Sequence, residues 1–175
     1  MIKEFALQME KELDGKVVLS ERQMEQFFRY YELLTEWNQV MNLTAITEMP
    51  EVVTKHFVDS LALVQAVPEI GNGSWKVIDV GTGAGFPGLP LKIAYPELKI
   101  TLLDSLNKRI KFLGEVTAQL GLEDVEMVHC SCRVLGSMDG QKILAVIKDT
   151  GNSMTSVYRE LWRIWLLCQN IVCLL

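Results

Sequence analysis

The chain has 175 residues, of which 49% are hydrophobic, so it is long enough and apolar enough to fold around a sizeable core. Its formal net charge of −5 argues against nucleic-acid binding through overall charge, although a local basic patch is compatible with it. Apolar runs stay below the roughly 18 residues of a membrane span, and the amphipathic N-terminus carries acids, unlike a signal peptide. We therefore expect a globular cytoplasmic protein that does not contact membranes.

The cysteines and histidines form no pattern that binds metal. Cys130 and Cys132 are separated by one residue, whereas zinc and redox pairs usually have two between them. His56 and His129 do not complete a ligand set. We expect no metal.

Residues 1–70 predict a helical extension. An amphipathic helix is expected over Ile2 to Leu13, and Ser20 with Gln23 forms the capping-box pattern that begins a second helix. Apolar residues then recur at helical spacing as far as Met41. We expect this stripe to pack on the core, and the alternative is a surface on which RNA bases stack. A further helix is expected to open at Pro50.

The most informative pattern follows this extension. Residues 75–80, WKVIDV, are apolar and rich in β-branched side chains, which predicts a buried strand. Gly81, Gly83 and Gly85 alternate directly after it, and Pro87 is suited to the first turn of a helix. A strand, a glycine loop and a helix in this order bring backbone N–H groups close to a nucleotide-like ligand.

Two acids indicate which ligand the loop takes. Asp79 precedes the first of the three glycines, which is the signature of S-adenosylmethionine binding in Rossmann-like methyltransferases, where the acid can orient the cationic amino group. Asp104 ends the next predicted strand, 98–104, and lies 19 residues after Gly85. That distance is near the spacing of about 20 expected for an acid that accepts ribose hydroxyls. The alternative is that both acids are helix or turn caps.

The same loop also fits a dinucleotide pattern, because Gly83, Gly85 and Gly88 have the spacing G-x-G-x-x-G. A nicotinamide-dependent oxidoreductase is therefore the alternative function. It is disfavoured because the glycine register begins at Gly81 and no Tyr-Lys or His-Asp catalytic set is evident. A non-catalytic remnant that folds without activity is a further alternative.

A helix is predicted from Leu106 to Leu120, followed by a third strand over 125–129. Its first turns carry Lys108, Arg109 and Lys111. These cations form either a solvated face or, beside a cofactor, a site for a substrate phosphate. The sequence leaves both interpretations open.

Four segments, in this order, carry a resemblance to a known family: Asn42-Leu43-Thr44-Ala45-Ile46, His56 with Asp59-Ser60-Leu61, DVGTGAGFPGLPL, and LLDSLNKRIKFL. About residues 20–129 resemble the bacterial small-subunit ribosomal RNA guanine-N7 methyltransferase G family, also called glucose-inhibited division protein B. The resemblance implies S-adenosylmethionine as cofactor and folded 16S ribosomal RNA, or the small ribosomal subunit, as substrate.

The resemblance also implies roles for residues. Gly81 and Phe86 match cofactor-contacting loop positions of the family, which completes a predicted cofactor site of Asp79, Gly81, Gly83, Gly85, Phe86 and Asp104. His56 and Asp59 match recurrent family positions, but a role in bracing the helical extension is equally compatible. No catalytic acid or base is expected, because guanine N7 has a lone pair and no proton to lose, so positioning supplies most of the rate.

The implied fold is α/β: a Rossmann-like class I methyltransferase domain over 71–175 after the helical extension 1–70. The resemblance is expected to stop after His129, so this fold is expected to be incomplete at the C-terminus, with residues 130–175 atypical and the strand over 75–80 open on one edge. The family's Ser/Ala-Arg-Ala motif is absent from this tail. If the tail is native, we expect weak or no methyl transfer.

A change of reading frame is a specific hypothesis for this tail. Residues 150–175 can be back-translated and read with the third base of each codon joined to the first two of the next. They then decode as REQYDVCVSRAVANLAVVSEYCLPL, which resembles the family's next segment and contains Ser-Arg-Ala. Sequencing the gene across codons 125 to 175 tests the hypothesis, which fails if no base change restores this segment.

Overall fold

The computed structural model describes residues 1–71 and 75–129, together with the backbone of two further strands at 143–147 and 171–174. Most of the atypical tail, including most of the segment of the reading-frame hypothesis, lies outside the described residues.

Two helices open the chain, as the sequence predicted. Helix α1 spans Ile2–Leu13 and helix α2 spans Glu21–Met41. The predicted capping box is confirmed: the Gln23 N–H donates to Ser20 Oγ at 3.3 Å, and the Ser20 N–H donates to Gln23 Oε1 at 2.8 Å. The apolar stripe of α2 packs on the core, as expected, and its most buried aromatic residues are Phe27 and Tyr30.

The helix predicted to open at Pro50 is interrupted. It consists of α3 (Met49–Val52), a π-helical segment (Val53–Val58), α4 (Asp59–Leu61) and α5 (Leu63–Ala66). A short 3₁₀ turn over Pro68–Gly71 follows. Local widening of a helix to the π form is uncommon and recurs at functional sites, and here the widened turn carries His56.

Five parallel strands form the sheet, in the order β3-β2-β1-β4-β5. The predicted β-α-β unit is confirmed, and the predicted open edge beside β1 is wrong, because β1 pairs with β4 from Lys76 to Val80. The order reverses between β1 and β4, and ligands of open α/β sheets bind where the order reverses. The bounds are β1 Lys76–Val80, α6 Gly88–Ala94, β2 Lys99–Asp104, α7 Asn107–Leu120, β3 Val125–His129, β4 Ile143–Ile147 and β5 Ile171–Leu174.

One hydrophobic core joins the N-terminal helices to the sheet. Phe27 and Phe57 from the helical extension belong to the same buried cluster as Leu89 of α6 and Leu102 of β2. Polar contacts reinforce this junction, because the Gln23 amide Nε2 donates to the carbonyls of Ile93 and Ala94 at the end of α6, at 2.8 and 2.9 Å. Among the described helices, none is long and apolar enough to cross a membrane.

Lys92 of α6 is an almost fully buried cation. Its Nζ donates to the carbonyls of Pro96 and Leu98 at 2.7 and 2.6 Å, and thereby ties the end of α6 to the start of β2. Burial lowers the pKa of the Lys92 ammonium, and nearby acids, chiefly Asp124, oppose that shift.

Candidate cofactor site

The glycine loop, residues 81–88, leaves β1 and crosses to the end of β2. The N–H groups of Gly81 and Thr82 donate to the Leu103 carbonyl at 2.9 and 3.0 Å. Gly81, Gly83 and Gly85 all have positive φ, at +76°, +65° and +97°. Side chains rarely adopt this backbone region, so the alternating glycines are required by the path of the loop.

Gly83 and Gly85 nevertheless face different surroundings. A Cβ placed on Gly85 would lie 2.6 Å from the Tyr30 hydroxyl oxygen, 2.7 Å from Leu89 Cδ1 and 2.9 Å from Leu113 Cδ2. A Cβ on Gly83 would meet no described atom closer than the Gly81 carbonyl oxygen, at 3.9 Å. Gly85 is therefore a packing position, whereas Gly83 faces open space at the carboxyl end of the sheet.

Asp104 lies beside this open space, directly next to the loop. Its Oδ2 accepts the Gly83 N–H at 3.0 Å, and its Oδ1 accepts the Leu106 N–H at 2.8 Å. The Arg109 guanidinium pairs with Oδ2 at 3.2 Å, and the Asp104 side chain is only 2% exposed. The sequence predicted that this acid and the glycine loop would meet, and the structure brings them into hydrogen-bond contact.

Asp79 lies deeper than Asp104 on the same face of the sheet. The register pairs Asp79 with Leu102, so Asp79 and Asp104 point to one side, with Asp104 two residues nearer the carboxyl edge. The Asp79 Oδ2 accepts the Thr82 hydroxyl at 2.7 Å and the Gly88 N–H at 3.0 Å, and the residue is fully buried. Asp79 thus binds both ends of the loop.

Aromatic side chains of the helical extension hold the loop from outside. Phe86 stacks between the His56 ring, with centroids 4.4 Å apart, and the Tyr30 ring, 5.5 Å away. The Tyr30 hydroxyl also donates to the Ala84 carbonyl. The His56 Nε2 hydrogen-bonds the Thr44 hydroxyl at 2.9 Å. Sequence reasoning missed Tyr30, although its position three residues after Phe27 and four before Leu34 marks it as part of the same buried helix face.

A small cavity of about 170 Å³ opens beside Phe86. His56 and Asp59 line it, together with Lys55, Ser60, Leu63 and Pro87. His56 thus lies between the helical extension and the loop, and it also forms part of a cavity wall.

The three cations in the first turns of α7 have different surroundings. Arg109 pairs with Asp104, and the Lys108 Nζ donates to the Met41 carbonyl at 3.1 Å, while Lys111 is exposed. Within residues 1–71 and 75–129, no group of three or more His, Cys, Asp or Glu side chains is arranged to hold a metal ion.

Replacing Tyr30 by phenylalanine tests the contact between extension and loop. Burial, and secondarily the charge of Asp79, raises the pKa of the Tyr30 hydroxyl well above its ordinary 10.0. The folded protein therefore retains a proton that the unfolded chain loses, so this group's contribution to stability is present below pH 10.0 and is lost as the pH rises above it. At neutral pH, we expect Tyr30→Phe to lower the free energy of unfolding by about 1 kcal/mol, because one hydrogen bond is lost. Between about pH 9 and 11, the free energy of unfolding of the variant should fall less steeply than that of the wild type.

Denaturant unfolding at each pH measures both effects. Tyr31→Phe is the matched control for the hydrogen-bond loss at neutral pH, because Tyr31 is the next residue of α2 and its hydroxyl makes only a 3.5 Å contact with the Thr47 carbonyl. The prediction would be contradicted if the free energy of unfolding fell equally steeply with rising alkaline pH in the wild type and in Tyr30→Phe.

Comparison with known proteins identifies relatives of this arrangement. The family model described as GidB, rRNA small subunit methyltransferase G, matches residues 23–142. The match continues past His129, so the predicted end of the resemblance at that residue is wrong.

Ribosomal RNA small subunit methyltransferase G of Alkaliphilus metalliredigens is 57% identical over 111 residues, which are 63% of this chain and 46% of the relative. The Staphylococcus epidermidis protein of that name is 52% identical over 127 residues, 73% of this chain and 52% of the relative. The chain thus spans about half the length of the curated relatives it matches.

Solved structures agree on the fold. A chain from Methanococcus maripaludis, assigned to the S-adenosyl-L-methionine-dependent methyltransferases, superimposes with a TM-score of 0.51 at 17% identity and covers 77% of this chain and 57% of its own. Coclaurine N-methyltransferase, solved with N-methylheliamine and SAH, superimposes with a TM-score of 0.50 at 14% identity. The superposition covers 93% of this chain and 55% of the coclaurine N-methyltransferase chain. The predicted Rossmann-like class I methyltransferase fold is confirmed.

Proposed function

Because the chain belongs to the family of rRNA small subunit methyltransferase G, we propose that its glycine loop binds S-adenosylmethionine and that the protein acts on N7 of a guanine in 16S ribosomal RNA, with methyl transfer weakened if the tail over 130–175 is native. The observation that carries the proposal is the pairing of an open loop with a carboxylate. Gly83 leaves room at the carboxyl end of the sheet, and Asp104, at the end of β2, lies beside it on a hydrogen bond to the Gly83 N–H. This combination fits the ribose of a nucleoside cofactor.

The remaining predicted cofactor residues contribute in different ways. Gly81 and Gly85 set the path of the loop through their positive φ angles. Phe86 is nearly buried and stacks against the Tyr30 and His56 rings, so we propose that its side chain contributes by holding the loop in place. Asp79 is bonded to Thr82 and Gly88, so we propose that it acts on the cofactor through the loop that it holds.

Methyl transfer to guanine N7 requires of the protein mainly that it position the two reactants. When bound, S-adenosylmethionine supplies an already activated methyl group on a sulfonium. Guanine N7 is a hydrogen-bond acceptor with a free lone pair, so no proton has to be removed. The chain's own task is to hold the two partners in line and to exclude water, and an effective molarity of this kind is worth about 7–11 kcal/mol of the barrier. The proposal therefore includes no catalytic acid or base.

Titration calorimetry with S-adenosylmethionine, and separately with nicotinamide adenine dinucleotide, tests the cofactor. We expect one site for S-adenosylmethionine and none for the dinucleotide; the reverse would favour an oxidoreductase, and no binding of either would favour a non-catalytic remnant. Methylation of small ribosomal subunits by the same protein tests the substrate. Strong, stoichiometric methylation would contradict the expectation that a native tail over 130–175 weakens transfer.

Gly83→Ala is the variant that tests the open space of the loop. The added methyl group enters that space, and we expect S-adenosylmethionine to bind about 5- to 100-fold more weakly, the equivalent of overpacking by about 1–3 kcal/mol. Gly121→Ala is the matched control, because Gly121 has φ +61°, close to the +65° of Gly83, and a Cβ on Gly121 would meet no described atom within 4 Å. Both variants should lose similar stability, of about 1–2 kcal/mol. Equal cofactor affinity in the two variants would show that the cofactor does not lie against Gly83.

A further inference from the structure

We propose that Arg109 competes with the cofactor's ribose for Asp104, so that binding of the cofactor releases the Arg109 guanidinium from this carboxylate. Arg109 is then a positioning residue, which holds Asp104 in the free protein and sets the affinity for the cofactor. The inference rests on the proposed function, because it assumes that a ribose binds at Asp104.

The count of acceptor positions on Asp104 leads to this proposal. A carboxylate offers about four lone-pair positions. Within the described part of the chain, donors use three of them: the Gly83 N–H and Arg109 on Oδ2, and the Leu106 N–H on Oδ1. A ribose with two free hydroxyls needs two acceptors, so one of the present donors has to leave.

Arg109 is the donor that can leave. Gly83 and Leu106 donate through backbone N–H groups that belong to the loop and to the start of α7, at 3.0 and 2.8 Å. Arg109 donates through a long side chain at 3.2 Å, and that side chain is 29% exposed, whereas the Asp104 side chain is almost completely buried. Its departure needs only rotamer changes and leaves the backbone in place.

The position of Arg109 is itself incompletely satisfied. Its Nε is buried and has no acceptor among the described residues. A buried donor without a partner is destabilising, so the guanidinium is held in this position chiefly by Asp104. When the ribose hydroxyls take over one acceptor position, this anchor is weakened.

The proposal predicts that removing a side chain tightens binding, which a merely structural role for Arg109 would not do. We expect Arg109→Met to bind S-adenosylhomocysteine about two- to fivefold more tightly than the wild type, the range expected from a partly exposed ion pair. S-adenosylhomocysteine is the probe because it has the ribose without the sulfonium charge. Since about 1 M salt shortens the screening length to about 3 Å, the difference should shrink in 1 M NaCl.

Lys108→Met is the matched control, because Lys108 is the adjacent cation and donates to the Met41 carbonyl instead of Asp104. The Lys108→Met variant should bind S-adenosylhomocysteine with the same affinity as the wild type. Arg109→Gln, which keeps a polar side chain without charge, replaces Arg109→Met if thermal unfolding shows that the latter does not fold, and the same tightening is expected.

The outcomes separate the two proposals. If the wild type binds S-adenosylhomocysteine and the Arg109 variants bind it equally or more weakly, the competition is refuted while the cofactor site stands. If neither the wild type nor any variant binds, the proposed function fails and this inference fails with it.

Discussion

The Gly85→Ala variant is expected to lose cofactor binding altogether. Its free energy of unfolding should fall by about 2–5 kcal/mol, because the penalty for a positive φ and the cost of overpacking add. The backbone there has φ +97°, which alanine rarely adopts. The added methyl group would also lie within 3 Å of Tyr30, Leu89 and Leu113, which come from three different helices of the core. Either these three side chains or the loop itself therefore has to move.

Thermal unfolding and S-adenosylmethionine titration measure this effect. Gly121→Ala is again the control, because it carries the backbone penalty without the clash. The difference between Gly85→Ala and Gly121→Ala therefore measures the cost of packing the added methyl group against Tyr30, Leu89 and Leu113. If Gly85→Ala unfolded like Gly121→Ala and still bound the cofactor, the close approach of Tyr30 to the loop would be incorrect.

Asp104→Ala should weaken S-adenosylmethionine binding by at least about 100-fold, because two ribose hydrogen bonds to a charged acceptor are each worth about 1.5–3 kcal/mol. The variant also removes the acceptor of the Gly83 N–H, the Leu106 N–H and the Arg109 guanidinium. We expect its stability to fall by about 2–3 kcal/mol, so binding has to be measured well below its unfolding temperature.

Two further variants make the Asp104 result specific. Asp104→Asn keeps the volume and one acceptor oxygen, and its affinity should lie between those of the wild type and Asp104→Ala. Glu126→Gln neutralises an exposed carboxylate on β3 whose contact is with Thr101, and should bind the cofactor like the wild type. Wild-type affinity in Asp104→Ala would end the assignment of this carboxylate to the ribose.

Structural features that depend on residues close together in the sequence could be predicted from it. The capping box of α2, the β-α-β unit, the positive-φ glycines and the position of Asp104 at the end of β2 all follow from local rules of geometry. The predicted division at residue 70 remains a prediction, as do the cofactor roles of individual residues. The strand β4 was missed because the tail from residue 130 matched no pattern that placed it in the sheet.

Features that depend on distant parts of the chain were not predictable from local patterns. The Tyr30 hydroxyl and the Ala84 carbonyl are 54 positions apart in sequence, and helical periodicity shows that Tyr30 is buried without showing what it contacts. The basic cluster of α7 offered two interpretations, and only the three-dimensional structure pairs Arg109 with Asp104. Likewise, the sequence marked Asp79 as a site residue, but its orientation toward Thr82 and Gly88 depends on how the loop folds back.

The Gln23 side chain connects two helix ends that belong to different parts of the chain. Its carbonyl oxygen caps the start of α2, while its amide nitrogen caps the carbonyls at the end of α6. Glutamate would preserve the first of these functions and abolish the second, because it has no N–H group to donate. One amide therefore couples the formation of two helices, and we expect both to melt in a single cooperative transition. An N-terminal segment borrowed from another protein would need an equivalent donor at this position before it could replace the native one.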